Sequence, residues 1–254
     1  MYMNKVIVKT NKLCKSFSTG NTRQEVLKNL DIEIYDGDYT VIMGSSGAGK
    51  STLLYALSGM DKPSGGEIQF FDRDIATLSN DKMAVFRRQN CGFVFQQMFL
   101  LDNMSVMDNA LASGFLLKMS KKEIAAYAKE LFSRVGLEEE IWKKSPNQLS
   151  GGENQRAAIV RALINKPKVV FADEPTGALN SAAGKAVLDV LTEVNEDGQS
   201  IIMVTHDLVS ARRGNRILYI KDGLICGECQ LGKYVSGDRA RHDKLRSFLS
   251  EMGW

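Results

Sequence analysis

The chain has 254 residues, 44% of them hydrophobic and 25% charged, enough to bury a sizeable core in one or two domains. Thirty-three basic residues against 30 acidic ones leave a net charge of +3, too balanced to argue for a nucleic-acid partner, and no long basic block occurs. The first twenty residues break every apolar run with Lys, Asn or Ser, so no signal-peptide core is present, and no stretch approaches the roughly 20 apolar residues that cross a bilayer. The expectation is a protein that, alone, is soluble and cytosolic.

In chain order, "NKVIVKT" and "VLKNLDIEIYDGDYTVIMG" read as strands, with period-2 stretches and a turn at Asp36-Gly37. Gly44, Gly47 and Gly49 then interrupt an apolar strand, and "KSTLLYALSGM" continues at helical spacing. "KPSGGEIQFFDRDIA" reads as a turn and short hairpin. From about Met98 to Lys144 the chain is mostly helical, and "SKKEIAAYAKELFSRVGL" carries a Ser120 cap, Glu123 three residues on and Gly136 as a stop. After "LSGGENQRAAIVRALINKP", strands and helices alternate through "KVVFA", "AAGKAVLDVLTEVNEDG", "SIIMVT", "LVSARRG" and "RILYIKDGLI". Strands separated by helices of this length argue for a parallel sheet with crossovers. The expected class is α/β, with a β-rich beginning and a helical insertion.

"GSSGAGKST", comprising Gly44, Ser45, Ser46, Gly47, Ala48, Gly49, Lys50, Ser51 and Thr52, fits G-x-x-x-x-G-K-[ST], after a strand and before a helix. Such a loop turns several backbone N–H groups toward phosphate oxygens, and glycines permit the backbone angles and close approach. Lys50 puts a point charge on the β and γ phosphates, the Ser51 hydroxyl suits Mg²⁺, and the helix start adds its positive end. The spacing marks a nucleotide site.

"FADEPTGALNS" places Asp173 and Glu174 where an apolar strand ends. Beside a phosphate loop, one carboxylate suffices for Mg²⁺, which keeps most of its waters. Asp173 is the candidate metal carboxylate and Glu174 the candidate general base for an attacking water. Four cysteines are present: Cys14, Cys91, Cys226 and Cys229. "CGEC" at 226–229 follows an Asp-Gly hairpin turn rather than opening a helix, and Cys14 and Cys91 are isolated, so redox and zinc readings lose to ordinary strand and surface thiols.

With "LSGGENQR" added, the chain resembles the ATP-binding cassette ATPases, the motor subunits of ABC transporters. Within them it is similar to the branch serving macrolide-export, lipoprotein-release and bacitracin-resistance-type transporters. "IMGSSGAGKSTLL", "GFVFQQ", "PNQLSGG", "FADEPTGAL" and "MVTHD" carry the resemblance in order over residues 5–225. It implies an ATPase domain over 1–230, with a mainly parallel core sheet, an N-terminal antiparallel β subdomain and a helical subdomain at about 97–155. Residues 231–254 form an extension. Two ATP molecules would be sandwiched in a head-to-tail dimer, each signature (Ser150, Gly151, Gly152, Glu153) closing the partner's γ-phosphate. By the same resemblance Phe17 stacks on adenine, Gln96 reaches Mg²⁺ and the water, and His206 contacts the γ-phosphate. The cofactors implied are ATP and Mg²⁺, and the partners are a second copy and a membrane permease met by the helical subdomain. The place is then the inner face of the cell membrane. The cargo class that the resemblance implies is an antimicrobial peptide or hydrophobic molecule.

Asn180 departs from the family, which usually has Asp in this dimer-interface loop. Rival readings are a non-transporting mechanical or sensing relay of the same branch, a chromosome or repair ATPase, whose long coiled coils are absent here, and a translation-factor type, which needs two cassettes. In the extension, Leu245, Phe248, Leu249 and Met252 fall on one helical face with Lys and Arg elsewhere, which predicts packing on its own domain or the dimer mate over a membrane-surface helix.

Overall fold

The computed structural model describes residues 5–20, 22–116 and 119–254. The expected strand start at Asn4 and the expected helical run at Leu117 and Lys118 lie outside the described residues. Two compact units emerge, one of Met1–Ala84 with Gly198–Trp254 and the other of Val85–Asp197.

The first unit opens with β1 (Val6–Thr19), β2 (Thr22–Leu30), β3 (Glu33–Tyr35) and β4 (Tyr39–Met43). The turn at Asp36-Gly37 lies between β3 and β4 as expected. Next come α1 (Lys50–Leu57), the short hairpin β5 (Gly65–Phe70) and β6 (Arg73–Asp74), and α2 (Asn80–Asn90), which runs into the second unit. The long β1 pairs antiparallel with β2, β3 and β5, giving the order β2-β1-β5-β6 with β3 beside β1. This sheet is half solvated, with the first four residues of β2 and the first three of β5 exposed.

In the second unit, β7 (Cys91–Phe95) is followed by α3 (Val106–Gly114), α4 (Lys121–Arg134), α5 (Glu139–Trp142) and α6 (Gly151–Leu163). Ser120 and Glu123 form the predicted capping box on α4, and Gly136 takes φ 68° after its end. Strand β8 (Val169–Asp173) pairs parallel with β7, and α7 (Ser181–Glu196) closes the unit.

The first unit resumes with β9 (Ser200–Val204), α8 (Leu208–Ala211), β10 (Arg216–Lys221), β11 (Leu224–Gln230) and α9 (Arg239–Glu251). Strands β4 and β9 are buried at every position and pair parallel, and β4 pairs parallel with β10 on its other side. Uninterrupted apolar strands are what a parallel sheet covered on both faces requires. The α/β class expected from the alternation is the class observed. Asp222 (φ 50°) and Gly223 (φ 78°) form the expected hairpin turn, putting Cys226 exposed and Cys229 buried on β11.

The stripe on α9 packs on its own unit. Leu245 and Leu249 are buried, worth about 1.5–3 kcal/mol each, and Phe248 and Met252 lie against Gly227 of β11. Lys244 and Arg246 are exposed, as expected, whereas Arg241, one turn before the stripe, is buried. It is 4% exposed, and its guanidinium donates to the carbonyls of Arg212, Gly214, Leu231, Gly232 and Lys233. Those loop carbonyls have no strand to pair with, and a five-donor fork can satisfy them together. Burial holds the guanidinium pKa below its usual value.

Candidate functional site

In the first unit, the buried strand β4 delivers the chain to Gly44, which lies hard against β10. A Cβ there would stand 2.1 Å from the Ile220 carbonyl oxygen, so only glycine fits. Residues 45–47 are exposed, and the chain re-enters the core at Ala48. The cap of α1 is Gly49 at φ 103°, with no side-chain oxygen on the first-turn N–H groups. By contrast α3, α4, α6, α7, α8 and α9 each cap with a Ser, Asn or Asp side chain. A glycine cap leaves the start of α1 without a side chain over it, so the positive end of the helix is open to an anion.

Lys50 is only 8% exposed. Its Nζ donates to the carbonyl oxygens of Gly44 (3.0 Å) and Ser45 (2.8 Å), which hold the ammonium across the loop. Ser51 and Thr52 sit half-buried in the first turn. A cation, a hydroxyl and a helix start on one short loop match the chemistry of phosphate oxygens and a hard metal ion.

Two other candidates stand in the same unit. Phe17, on β1, is 44% exposed rather than in the core, and the Lys15 ammonium lies 4.8 Å from its ring centroid. His206 is exposed in the turn after β9. Its neighbour Asp207 shapes that turn: the Asp207 backbone N–H donates to Thr205 Oγ1, and its carboxylate accepts from Val209 N, Ser210 N and Ser210 Oγ. An Asp just before a helical run is the signal that finds it.

The second unit gathers the acidic pair and Gln96. Strands β7 and β8 end side by side, with Phe95 opposite Asp173, so Gln96 and Glu174 leave adjacent strand ends. Carboxyl ends of parallel strands are where α/β sheets present ligand-binding residues. Glu174 has φ 45°, left-handed for a residue with a side chain, and its carbonyl accepts from Gly177 N at 3.0 Å. Such a conformation costs on the order of 1–3 kcal/mol and persists where the surroundings over-determine it. Gly177 is where the turn meets Gln96: a Cβ there would stand 2.9 Å from Gln96 Nε2. No motif points to a role for Gly177 or Gln155. Gln155 is fully buried on α6, and its Nε2 donates to the Phe95 carbonyl at 3.0 Å, tying the signature helix to the strand end that carries Gln96. A buried amide in an otherwise ordinary helix face gives no local signal.

Ser150 caps α6, and Glu153 completes a capping box, accepting from Ser150 N (2.7 Å) and Ser150 Oγ (2.6 Å). These bonds hold the Glu153 carboxyl below its usual pKa. Gly151 and Gly152 lie against Leu179 and Ala183 respectively, so the signature start and the loop bearing Asn180 are neighbours.

Asn180 caps α7, with its Oδ1 accepting from Ala183 N at 2.9 Å. Asn and Asp are equivalent caps, so Asn180→Asp keeps this helix start and adds one exposed charge, worth on the order of 1 kcal/mol or less. The expected result is a change in steady-state ATP turnover of less than about tenfold. A hundredfold gain on installing Asp would show that the amide is a lesion.

A protein-family model described as "ABC transporter" matches residues 27–177. The chain is 39% identical over 248 residues to the bacitracin export ATP-binding protein BceA of Halalkalibacterium halodurans, covering 97% of this chain and 96% of that protein. It is 39% identical over 224 residues to the macrolide export ATP-binding/permease protein MacB of Aggregatibacter actinomycetemcomitans, covering 88% of this chain but only 35% of that longer protein. Among solved structures, a dimeric ATP-binding cassette in a post-hydrolysis state with ADP and Pi superposes with a TM-score of 0.82 at 38% identity, covering 89% of this chain and 100% of that one. Phosphate loop, acidic strand end and capped signature helix all fall within these matched spans, and the chain belongs to the ABC transporter family as one of its ATP-binding cassettes.

Proposed function

We propose that this chain is the ATP-hydrolysing subunit of a transporter, pairing head to tail with a second copy on two MgATP and driving a separate membrane permease. The observation that carries the reading is the match to BceA over nearly the whole of both chains, which includes the loop holding Lys50 and the helix capped by Ser150. The cargo class is antimicrobial peptides or hydrophobic compounds, and the location is peripheral, on the inner face of the cell membrane. Among the described residues no helix is long and apolar enough to cross a membrane, so the permease is a different polypeptide or segment.

The roles divide by unit. In the first, Phe17 stacks on adenine, residues 44–52 wrap the phosphates with Lys50 on the β and γ groups, and His206 contacts the γ-phosphate. In the second, Glu174 takes the proton of the attacking water as its oxygen bonds to the γ-phosphorus and the bond to the ADP oxygen breaks. Gln96 orients that water, and Ser150 to Glu153 close on the γ-phosphate of the partner's nucleotide. Ser51 in the first unit, and Gln96 and Asp173 in the second, are the side chains that would serve magnesium, which would neutralise charge on the phosphates. The segment at about 97–155 meets the permease, and 231–254 is an extension to the 1–230 ATPase domain.

The test is affinity purification of the tagged full chain from solubilised membranes. A polytopic membrane protein with transport function should accompany it and resist release by salt. Recovery with a division or sensing complex selects the relay reading instead, and recovery with DNA or ribosomes alone removes the membrane role.

A further inference from the structure

We propose that Lys15 is a positioning residue for the nucleotide base, presenting Phe17 through a cation held on the ring. The inference rests on the reading of Phe17 as the base-stacking residue and adds a second residue to that site. Lys15 is only 8% exposed, unusual for a lysine in a half-solvated sheet. Its ammonium donates to Asp61 Oδ1 at 2.5 Å and to the Lys62 carbonyl at 2.7 Å, and lies 4.8 Å from the centroid of the Phe17 ring. Residues 15 and 17 share one face of β1, and the register of β1 with β2 shifts on both sides of Lys15. A shift of that kind locally re-aims a strand's side chains.

The acceptors come from an informative place. Asp61 and Lys62 lie in the loop that follows α1, the helix that starts at the phosphate loop, and Asp61 N donates to Tyr55 O of that helix. The same loop grips β1 through its backbone: Ser64 N donates to Cys14 O at 2.8 Å, and Ser16 N donates to Ser64 Oγ at 2.9 Å. One end of α1 thus carries Lys50, and the loop beyond its other end fixes Lys15 and, through it, Phe17. An exposed aromatic ring ordinarily has rotamer freedom to lose when it binds a ligand. A cation anchored by two acceptors holds the ring before the base arrives, and leaves Phe17 44% exposed. The base class this suits is a purine, whose large face stacks on one aromatic ring.

The experiment measures equilibrium binding of ATP and of inorganic triphosphate, a base-free probe, to the purified full chain and its variants. Lys15→Met keeps the apolar stem and removes the cation, and is expected to weaken ATP roughly three- to tenfold while triphosphate stays unchanged. Lys15→Arg keeps a cation and should restore ATP affinity. The effect of Lys15→Met should vanish in a Phe17→Leu background, where no ring remains. Equal weakening of both ligands, or an undiminished effect with Leu at 17, would overturn the proposal. If Lys15→Met does not fold, Asp61→Asn, which loosens the tether, decides on the same two ligands. Phe17→Leu that leaves ATP affinity intact sinks the stacking reading itself, whereas weakened Phe17→Leu with an unchanged Lys15→Met sinks only the role of Lys15.

Discussion

Glu174→Gln is expected to lower steady-state ATP hydrolysis by about 10³-fold while leaving MgATP binding nearly unchanged. Gln keeps the size and hydrogen-bonding reach of Glu but cannot take a proton. The residue leaves β8 directly after Asp173 with φ 45°, so its position is fixed by the strand end and by the bond from Gly177 N to its carbonyl. A side chain swap of equal length does not disturb either. In the proposed reading the neighbouring carboxylate, Asp173, would still serve magnesium, so binding should survive. Blocked after binding, the variant should persist as an ATP-dependent dimer on size-exclusion chromatography. Turnover by phosphate release within tenfold of the natural protein would remove Glu174 as the base.

What could be read beforehand followed from local chemistry. The strands β4, β8 and β9 were visible as apolar runs because both their faces are buried, and caps such as Ser120 and Ser150 were visible because their partners lie three residues away. The amide at Asn180 could be judged as a helix start on the same ground. Other features depend on what the chain meets at a distance. Helix α2 escaped because it buries a single apolar residue, Phe86, and so shows no stripe. Phe17 is found by resemblance alone, since nothing in the sequence of β1 shows that its ring is 44% exposed. Arg241 precedes the apolar stripe, and only the convergence of two loops on its guanidinium explains its burial. Gln155 and Gly177 matter through contacts with Phe95 and Gln96, sixty or more positions earlier in the chain for Gln155, so no spacing rule could reach them. The candidate site was therefore legible as motifs, and the residues that hold those motifs in place were not.

The second large effect is expected at the phosphate loop itself, where Lys50→Ala should abolish useful MgATP binding rather than slow the chemistry. Lys50 Nζ is tethered to two loop carbonyls at 3.0 and 2.8 Å and is almost wholly shielded from water. A shielded ammonium facing phosphate oxygens makes charge-assisted hydrogen bonds worth about 1.5–3 kcal/mol each. With two of its three N–H groups on loop carbonyls, the ammonium has at most one for a phosphate oxygen, and losing that bond together with the loop's brace weakens affinity by roughly 100-fold, since about 1.4 kcal/mol is a factor of ten. The truncation also leaves the Gly44 and Ser45 carbonyls without this donor, so the loop loses its own brace along with the ligand's. Thermal unfolding reads both consequences in one measurement. MgATP at 100 times its dissociation constant should stabilise the natural protein by about 2.7 kcal/mol, and Glu174→Gln by the same amount. Lys50→Ala should melt at one temperature with and without nucleotide. An Ala variant that gains the full ligand stabilisation would show that the phosphates do not lie on this loop, and the assignment of residues 44–52 would fall with it.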